Sequence, residues 1–382
     1  MSDTDEKNYP TTEVVDVHPV TSIRKDQIGN PMEIITSVIS PSGREIPVTG
    51  DVDEAMKLAA DQESFEATEE DMQKVLKKTD LYLMPLICFL YAVQFMDKTS
   101  NSSASIMGMK KDLDMTGDKY TWVGSSFYLG YLFFEFPASL LLQKFPLAKV
   151  TSVFIVLWGV VLCLHACPNY AGFIFLRTML GVFESAVTPA MMIITSQWYK
   201  KEEQFTRTSI WFSFNGFGII LGSAIAYGVL IHMESYSLEG WKINFIIIGL
   251  ITILLGFVIY LHIPDSPAGA WFLTDKEKHL VVERIRSNNQ GFGNKHFKRD
   301  QLKEALGDYR TWLFGVLALT SNIPNGGMTN FSSILLNSDF GYDVKHSFLM
   351  GLPSGGVELH LPIRINKQSW LVITCFPYPL LL

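Results

Sequence analysis

The sequence predicts an all-α polytopic membrane protein, and three observations carry that prediction. Hydrophobic residues make up 48% of the 382 positions although the chain begins with a long polar stretch, so the apolar residues are concentrated elsewhere. They fall into blocks of about 20, the number of helical residues that crosses the hydrocarbon core of a bilayer. Lysine and arginine gather in alternate connections between the blocks, as in a chain threaded back and forth through a membrane.

The elements follow in order. Residues 1 to about 50 are rich in Thr, Ser, Pro, Asp and Glu, a composition that cannot repay the entropy of ordering, and residues 1–79 are expected to be a disordered acidic cytosolic tail. No basic start leads into an apolar core and a small-residue cleavage site, so targeting falls to the first span. The tail ends in the run TEEDMQKVLKKTD from Thr68, whose capping residue, early acids and late lysines predict a short cytosolic helix. Spans at about 80–100, 119–143, 149–167, 171–197, 206–231 and 241–263 then make a six-helix bundle over residues 80–263. Residues 264–309 are polar and read as a cytosolic central loop. A seventh span from Thr311 to about Leu336 and the start of an eighth near Ser347 form a partial second bundle over 310–358. Past Glu358, the residues His360, Pro362, Arg364, Asn366 and Lys367 interrupt the apolar pattern. Trp370 to Leu382 is apolar but only about 13 residues long, too short to span with ease. Residues 359–382 read as a tail outside the pattern, of the kind a shifted frame leaves.

Charge sets the orientation. With a cytosolic N-terminus, the inner connections hold Lys144, Lys149, Lys200, Lys201, Arg207 and the basic residues from Lys276 to Arg310. The outer ones hold little beyond Lys110, Lys111 and Lys119. The net charge of −7 and the lack of a basic footprint exclude nucleic acid as a partner. The four cysteines, Cys88, Cys163, Cys167 and Cys375, lie in apolar segments and make no disulfide scaffold. Cys163, His165 and Cys167 have a suggestive spacing for a metal, but on a helix His165 points nearly opposite to the two cysteines. No nucleophile, metal cluster or phosphate loop supports an enzyme, and no cofactor is implied. Gly218, Gly222 and Ala226 recur every four residues, a small-residue stripe for close helix packing.

Function rests on the polar residues at membrane depth, where a charge is expensive and is seldom retained without a use. Arg177 and Glu184 stand seven residues apart in one span, nearly two turns, so one helix face carries a cation and an acid. A guanidinium presents a fixed fork of donors that suits a carboxylate, which makes Arg177 a candidate anion clamp; the alternative is snorkelling to the membrane edge. Glu184 is a candidate proton carrier or else half of a permanent structural pair with a partner such as Lys98. Asp97 and Lys98 offer a second proton site and a second cation, or mark the membrane edge. Glu135, in YLFFEFPASLLLQKF, suits a gate or an interhelical hydrogen bond. Asn215 is a neutral substrate contact or packing glue, and the seventh span adds Asn322, Asn325 and Asn330.

Several stretches together resemble one family: FMDKTSNSSA after the first span, FEFPASLLLQKFPLAK closing the second, RTMLGVFESAVTPA in the fourth, WYKKEEQFTR after it, and IPDSPAGAWFLTDKE after the sixth. From about Asp80 to Glu358 the chain resembles the anion:cation symporter branch of the major facilitator superfamily, especially the fungal allantoate permease group. The resemblance implies a twelve-span fold of two six-helix halves that rock about a central substrate site. It implies proton-coupled or cation-coupled carriage of a small organic anion, read here as proton symport of an allantoate, ureidosuccinate or vitamin-acid type of anion through the plasma membrane. It also implies substrate binding at Lys98 and Arg177 and proton coupling at Asp97 and Glu184. Lys98 departs from the family pattern, which commonly has arginine there; lysine cannot make the same bidentate contact. The chain reads as truncated after the seventh to eighth span. That leaves a second expectation: a non-transporting remnant, or a membrane interaction or sensor protein.

Overall fold

The structure is a computed structural model and describes residues 23–25, 31–39, 45–49, 68–167, 169–286 and 299–366. The expectations for residues 1–22 and for the stretch from Lys367 to Leu382 lie outside the described residues.

The first difference from the sequence reading is in the N-terminal region. Strands β1 (Ile23–Lys25), β2 (Pro31–Ile39) and β3 (Glu45–Thr49) pair antiparallel in the order β1-β2-β3. Ile23 pairs with Glu33 and Ile39 with Glu45, with an irregularity between Ile34 and Thr36. The acidic composition hid a run dense in β-branched residues, Ile34, Ile35, Thr36, Val38 and Ile39, which favour extended backbone.

Helix α1 (Glu69–Ala104) absorbs both the expected short cytosolic helix and the first span. Thr68 caps it, its side chain accepting a hydrogen bond from Asp71 N, and Glu69, Glu70 and Asp71 fill the first turn. At 36 residues α1 is roughly 54 Å long, well beyond a hydrocarbon core of about 30 Å, so part of it projects from the membrane. A π-helical turn (Ser105–Met109) carries it on, with Gly108 at φ 110°, a conformation that suits glycine.

Helix α2 (Lys119–Lys144) runs back to Pro146, and α3 (Leu147–Leu164) starts where Asp265 Oδ1 accepts from Ala148 N at 2.9 Å and Lys149 N at 3.3 Å. The fourth span is not one helix. It divides into α4 (Tyr170–Glu184) and α5 (Val187–Trp198) because Pro189 has no N–H for the carbonyl of Ser185 and crowds it. Then follow α6 (Lys201–Ile231) and α7 (Gly240–His262).

The expected central loop holds two helices, α8 (Asp275–Arg286) and α9 (Arg299–Gly307). Leu280, Val281, Val282 and Ile285 of α8 are buried, so its apolar face packs on the bundle. Ion pairs secure it: Lys78 Nζ lies 2.8 Å from Glu277 Oε2, and Arg284 pairs with Glu203. Beside them Arg207 grips Asp80 with both Nε and Nη2, at 3.2 and 2.9 Å. Burial, the largest single influence on Glu277, raises its carboxyl pKa. Hydrogen bonds from Lys78 and from Thr274 together outweigh it and hold the group below its usual value. The chain continues through α10 (Tyr309–Ile334), α11 (Val344–Leu349) and α12 (Gly351–Asn366).

By length and composition five stretches among the described residues can cross a membrane: Glu69–Asp112, α3, α4 with α5, α6 and α7. Helices α2 and α10 are 26 residues each, long enough, but Tyr, Ser, Gly and Asn dilute their apolar content. The core of the bundle is aromatic, with Trp158, Trp198, Trp211 and Trp241 fully buried.

Candidate functional site

Four polar side chains of α1 repeat at helical spacing, Gln94, Asp97, Lys98 and Asn101, and so share one face. That face looks toward α4. Glycines let the backbones approach: a Cβ on Gly181 of α4 would strike the Phe127 carbonyl of α2, and one on Gly218 of α6 would strike the Ala92 carbonyl of α1. Asp97, Arg177 and Glu184 are accordingly buried, at 1%, 4% and 0% exposure.

The charges sort into separate sets. Lys98 Nζ lies 3.2 Å from Glu184 Oε1, and the same oxygen accepts from Gln94 Nε2 at 3.0 Å. Asp97 Oδ2 accepts from the indole of Trp158 at 2.7 Å. Arg177 meets no carboxylate: among the described residues it forms no ion pair. Its Nη2 donates to Asn101 Oδ1 at 3.1 Å, and its guanidinium lies 5.5 and 5.3 Å from the ring centres of Phe173 and Phe245. Its Nε is buried without a hydrogen-bond partner. A narrow cleft reaches this cluster and is lined by Asp97, Lys98, Arg177, Tyr128, Thr329 and Asn330, with Val123 and Phe127.

Residues 87–366 match the family model of the Major Facilitator Superfamily. The chain belongs to this superfamily. It is similar to the allantoate permease of Saccharomyces cerevisiae, with 51% identity over 359 residues, covering 93% of the chain and 65% of the permease. It is also similar to the uncharacterized transporter C417.10 of Schizosaccharomyces pombe, with 49% identity over 90% of the chain and 68% of that protein. The chain thus spans just under two thirds of the permease's own length. Among solved structures, its fold resembles a bacterial homologue of the human lysosomal transporter Spinster, inward-facing and occupied. There the TM-score is 0.55 at 14% identity, over 72% of this chain and 58% of that one. The xylose transporter XylE from E. coli, partially occluded and inward-open, gives a TM-score of 0.51 at 13% identity, over 76% and 71%. A multi-pass membrane protein of the major facilitator fold is the result. The family match runs past Glu358, where the sequence reading ends the resemblance, to residue 366, and α12 stays helical over the same residues.

Within this fold, four of the six residues singled out from sequence meet: Asp97, Lys98, Arg177 and Glu184. Asn215 does not line the cleft; it is buried in α6, where the neighbouring Gly216 packs against Gly355 and Glu358 of α12. Glu135 is exposed among Leu132, Phe133 and Phe136. Sequence reasoning missed Gln94, Asn101 and Trp158 as members of the site. Gln94 and Asn101 stand one turn either side of Asp97 and Lys98, a polar periodicity that could have found them. Trp158 had no such signal beyond an indole N–H that needs a partner when buried. His165 is buried, with Nδ1 2.7 Å from the Val161 carbonyl and its ring stacked on Phe245, whereas Cys167 is exposed.

Proposed function

We propose that these residues form the anion and proton site of a symporter for small organic anions, of the ureido-acid kind named in the allantoate permease of S. cerevisiae. The observation that carries the reading is the state of Arg177: a buried guanidinium without a carboxylate partner, its Nε unused, facing a cleft. A permanent cation at that depth is stabilised by an anion that visits it, and the fork of Nε and Nη2 suits a carboxylate. Lys98 adds positive charge to the lining of the cleft. Asp97 and Glu184 are the proton carriers in this reading; a proton entering with the anion keeps the net charge of the site constant. The lysine and arginine distribution supports a cytosolic N-terminus, and the family resemblance supports the plasma membrane as the location.

The test is binding of radiolabelled allantoate to the purified chain in lipid nanodiscs, with proton uptake followed by a pH-sensitive dye in weak buffer. Saturable binding accompanied by proton uptake, both reduced by Arg177→Gln and the proton uptake alone abolished by Glu184→Gln or Asp97→Asn, is the expected result. A well-folded chain that binds no allantoate, ureidosuccinate or vitamin acid would leave the non-transporting reading in its place.

A further inference from the structure

Asn101 links Arg177 to α10. Its carbonyl Oδ1 takes the Arg177 hydrogen bond, and its Nδ2 donates to Tyr120 Oη at 3.3 Å and to Asn330 Oδ1 at 3.4 Å. Tyr120 Oη in turn donates to the Asn330 carbonyl at 2.7 Å, and the hydroxyl of Ser102, next to Asn101, accepts from Ser333 N at 2.9 Å. Gly124 of α2 makes room: a Cβ there would lie 3.1 Å from Asn330 Oδ1. Apolar packing is limited here to the edge of Phe331 on Tyr120, with ring centres 5.4 Å apart, and to the half-buried Ile334, Thr329 being the one buried residue of α10. Hydrogen bonds between neutral groups are worth about 1 kcal/mol each net and exchange readily, so the seat of α10 is polar and reversible.

We propose that Asn101 is a positioning residue that couples anion occupancy at Arg177 to the seating of α10 against α1 and α2. The inference rests on the reading that Arg177 binds an anion. A carboxylate docked side-on takes Nε, which is unused, and Nη2, which Asn101 holds. The anion therefore competes for the nitrogen that orients the Asn101 carboxamide. Once released, the carboxamide no longer aims Nδ2 at Tyr120 and Asn330, and α10 is free to move from the cleft it helps to close. A conformational change driven by a ligand needs a differential contact in the two states, and the Nη2–Oδ1 bond is that contact.

The experiment places spin labels at Thr121 and Ser338, both exposed, and reads their distance distribution with and without allantoate in nanodiscs, alongside allantoate binding to the same samples. In the otherwise unaltered chain, allantoate shifts the distribution to longer distances with a midpoint at its dissociation constant. Asn101→Ala shows the long-distance population with or without allantoate. Tyr120→Phe, which keeps the ring and loses the bond to Asn330, gives the same loss of response and guards against misfolding of the first variant. Binding that persists in Asn101→Ala and Tyr120→Phe together with an intact allantoate-dependent shift overturns the coupling while leaving the anion site standing. Absence of binding in the unaltered chain overturns both.

Discussion

Lys98 Nζ and Glu184 Oε1 lie 3.2 Å apart, so the acid seven residues beyond Arg177 is paired with the neighbouring helix and not with that arginine. The pair ties α1 to the last residue of α4 at membrane depth, and Gln94 completes the coordination of the same oxygen. Removing one partner strands the other. Lys98→Met is expected to cost about 3–5 kcal/mol, the usual loss when half of a buried ion pair goes, and adding Glu184→Gln should recover most of it. Thermal unfolding of the two single variants and the double variant in one detergent measures this; additive losses would contradict it.

Arg177 tests the anion site directly. Arg177→Lys keeps the charge but gives up the planar fork and the Phe173 and Phe245 faces. Allantoate affinity is expected to fall about 10- to 150-fold, the equivalent of a charge-assisted hydrogen bond worth about 1.5–3 kcal/mol. Isothermal titration of both forms gives the ratio, and equal affinities would remove Arg177 from the site.

Two glycines make a matched test of helix packing. A methyl at Gly181 meets the Phe127 carbonyl, so Gly181→Ala is expected to destabilise by about 1–3 kcal/mol as overpacking. Gly228 of α6 has open space around it, and Gly228→Ala should be neutral or stabilising by up to roughly 1 kcal/mol. Melting temperatures that rank the other way would show that α2 and α4 do not meet at Gly181.

Acid should loosen α8. The Glu277 pKa is held below its ordinary value of 4.5, so its contribution is fully present above about pH 4.5 and is lost as the pH falls through the lower, folded value. Proteolysis between α8 and α9, followed down a pH series with an acid-tolerant protease, is expected to accelerate there. Glu277→Gln should cut faster at neutral pH and lose that part of the pH dependence.

Much of the fold was legible because bilayer thickness and helical rise leave few choices: α3, α6 and α7 lie where the apolar blocks put them. The break after Glu184 was not read, although Pro189 signalled it, because the apolar run continues unbroken across it. The strands β1 to β3 were hidden by averaging composition over fifty residues, which conceals a nine-residue β-branched stretch. In the site, spacing along α1 and α4 revealed the charged residues, and Lys98 already stood as a possible partner of Glu184, which the 3.2 Å pair matches. The isolation of Arg177 depends on how two helices rotate against each other, which no single helix encodes. Asn215 was drawn toward the cleft by its polarity, yet α6 turns it into the region packed against α1 and α12.

The contact between Asn101 and Asn330 has one more consequence. Each asparagine opens a triplet, Asn101-Ser102-Ser103 and Asn330-Phe331-Ser332, of the form that the glycosylation machinery reads in accessible chain. Both triplets are wound into helices, and both amides are turned toward each other. What the sequence writes as two sugar-acceptor triplets, the fold uses as a brace between its first and tenth helices, so the folded chain is expected to carry no glycan at either position.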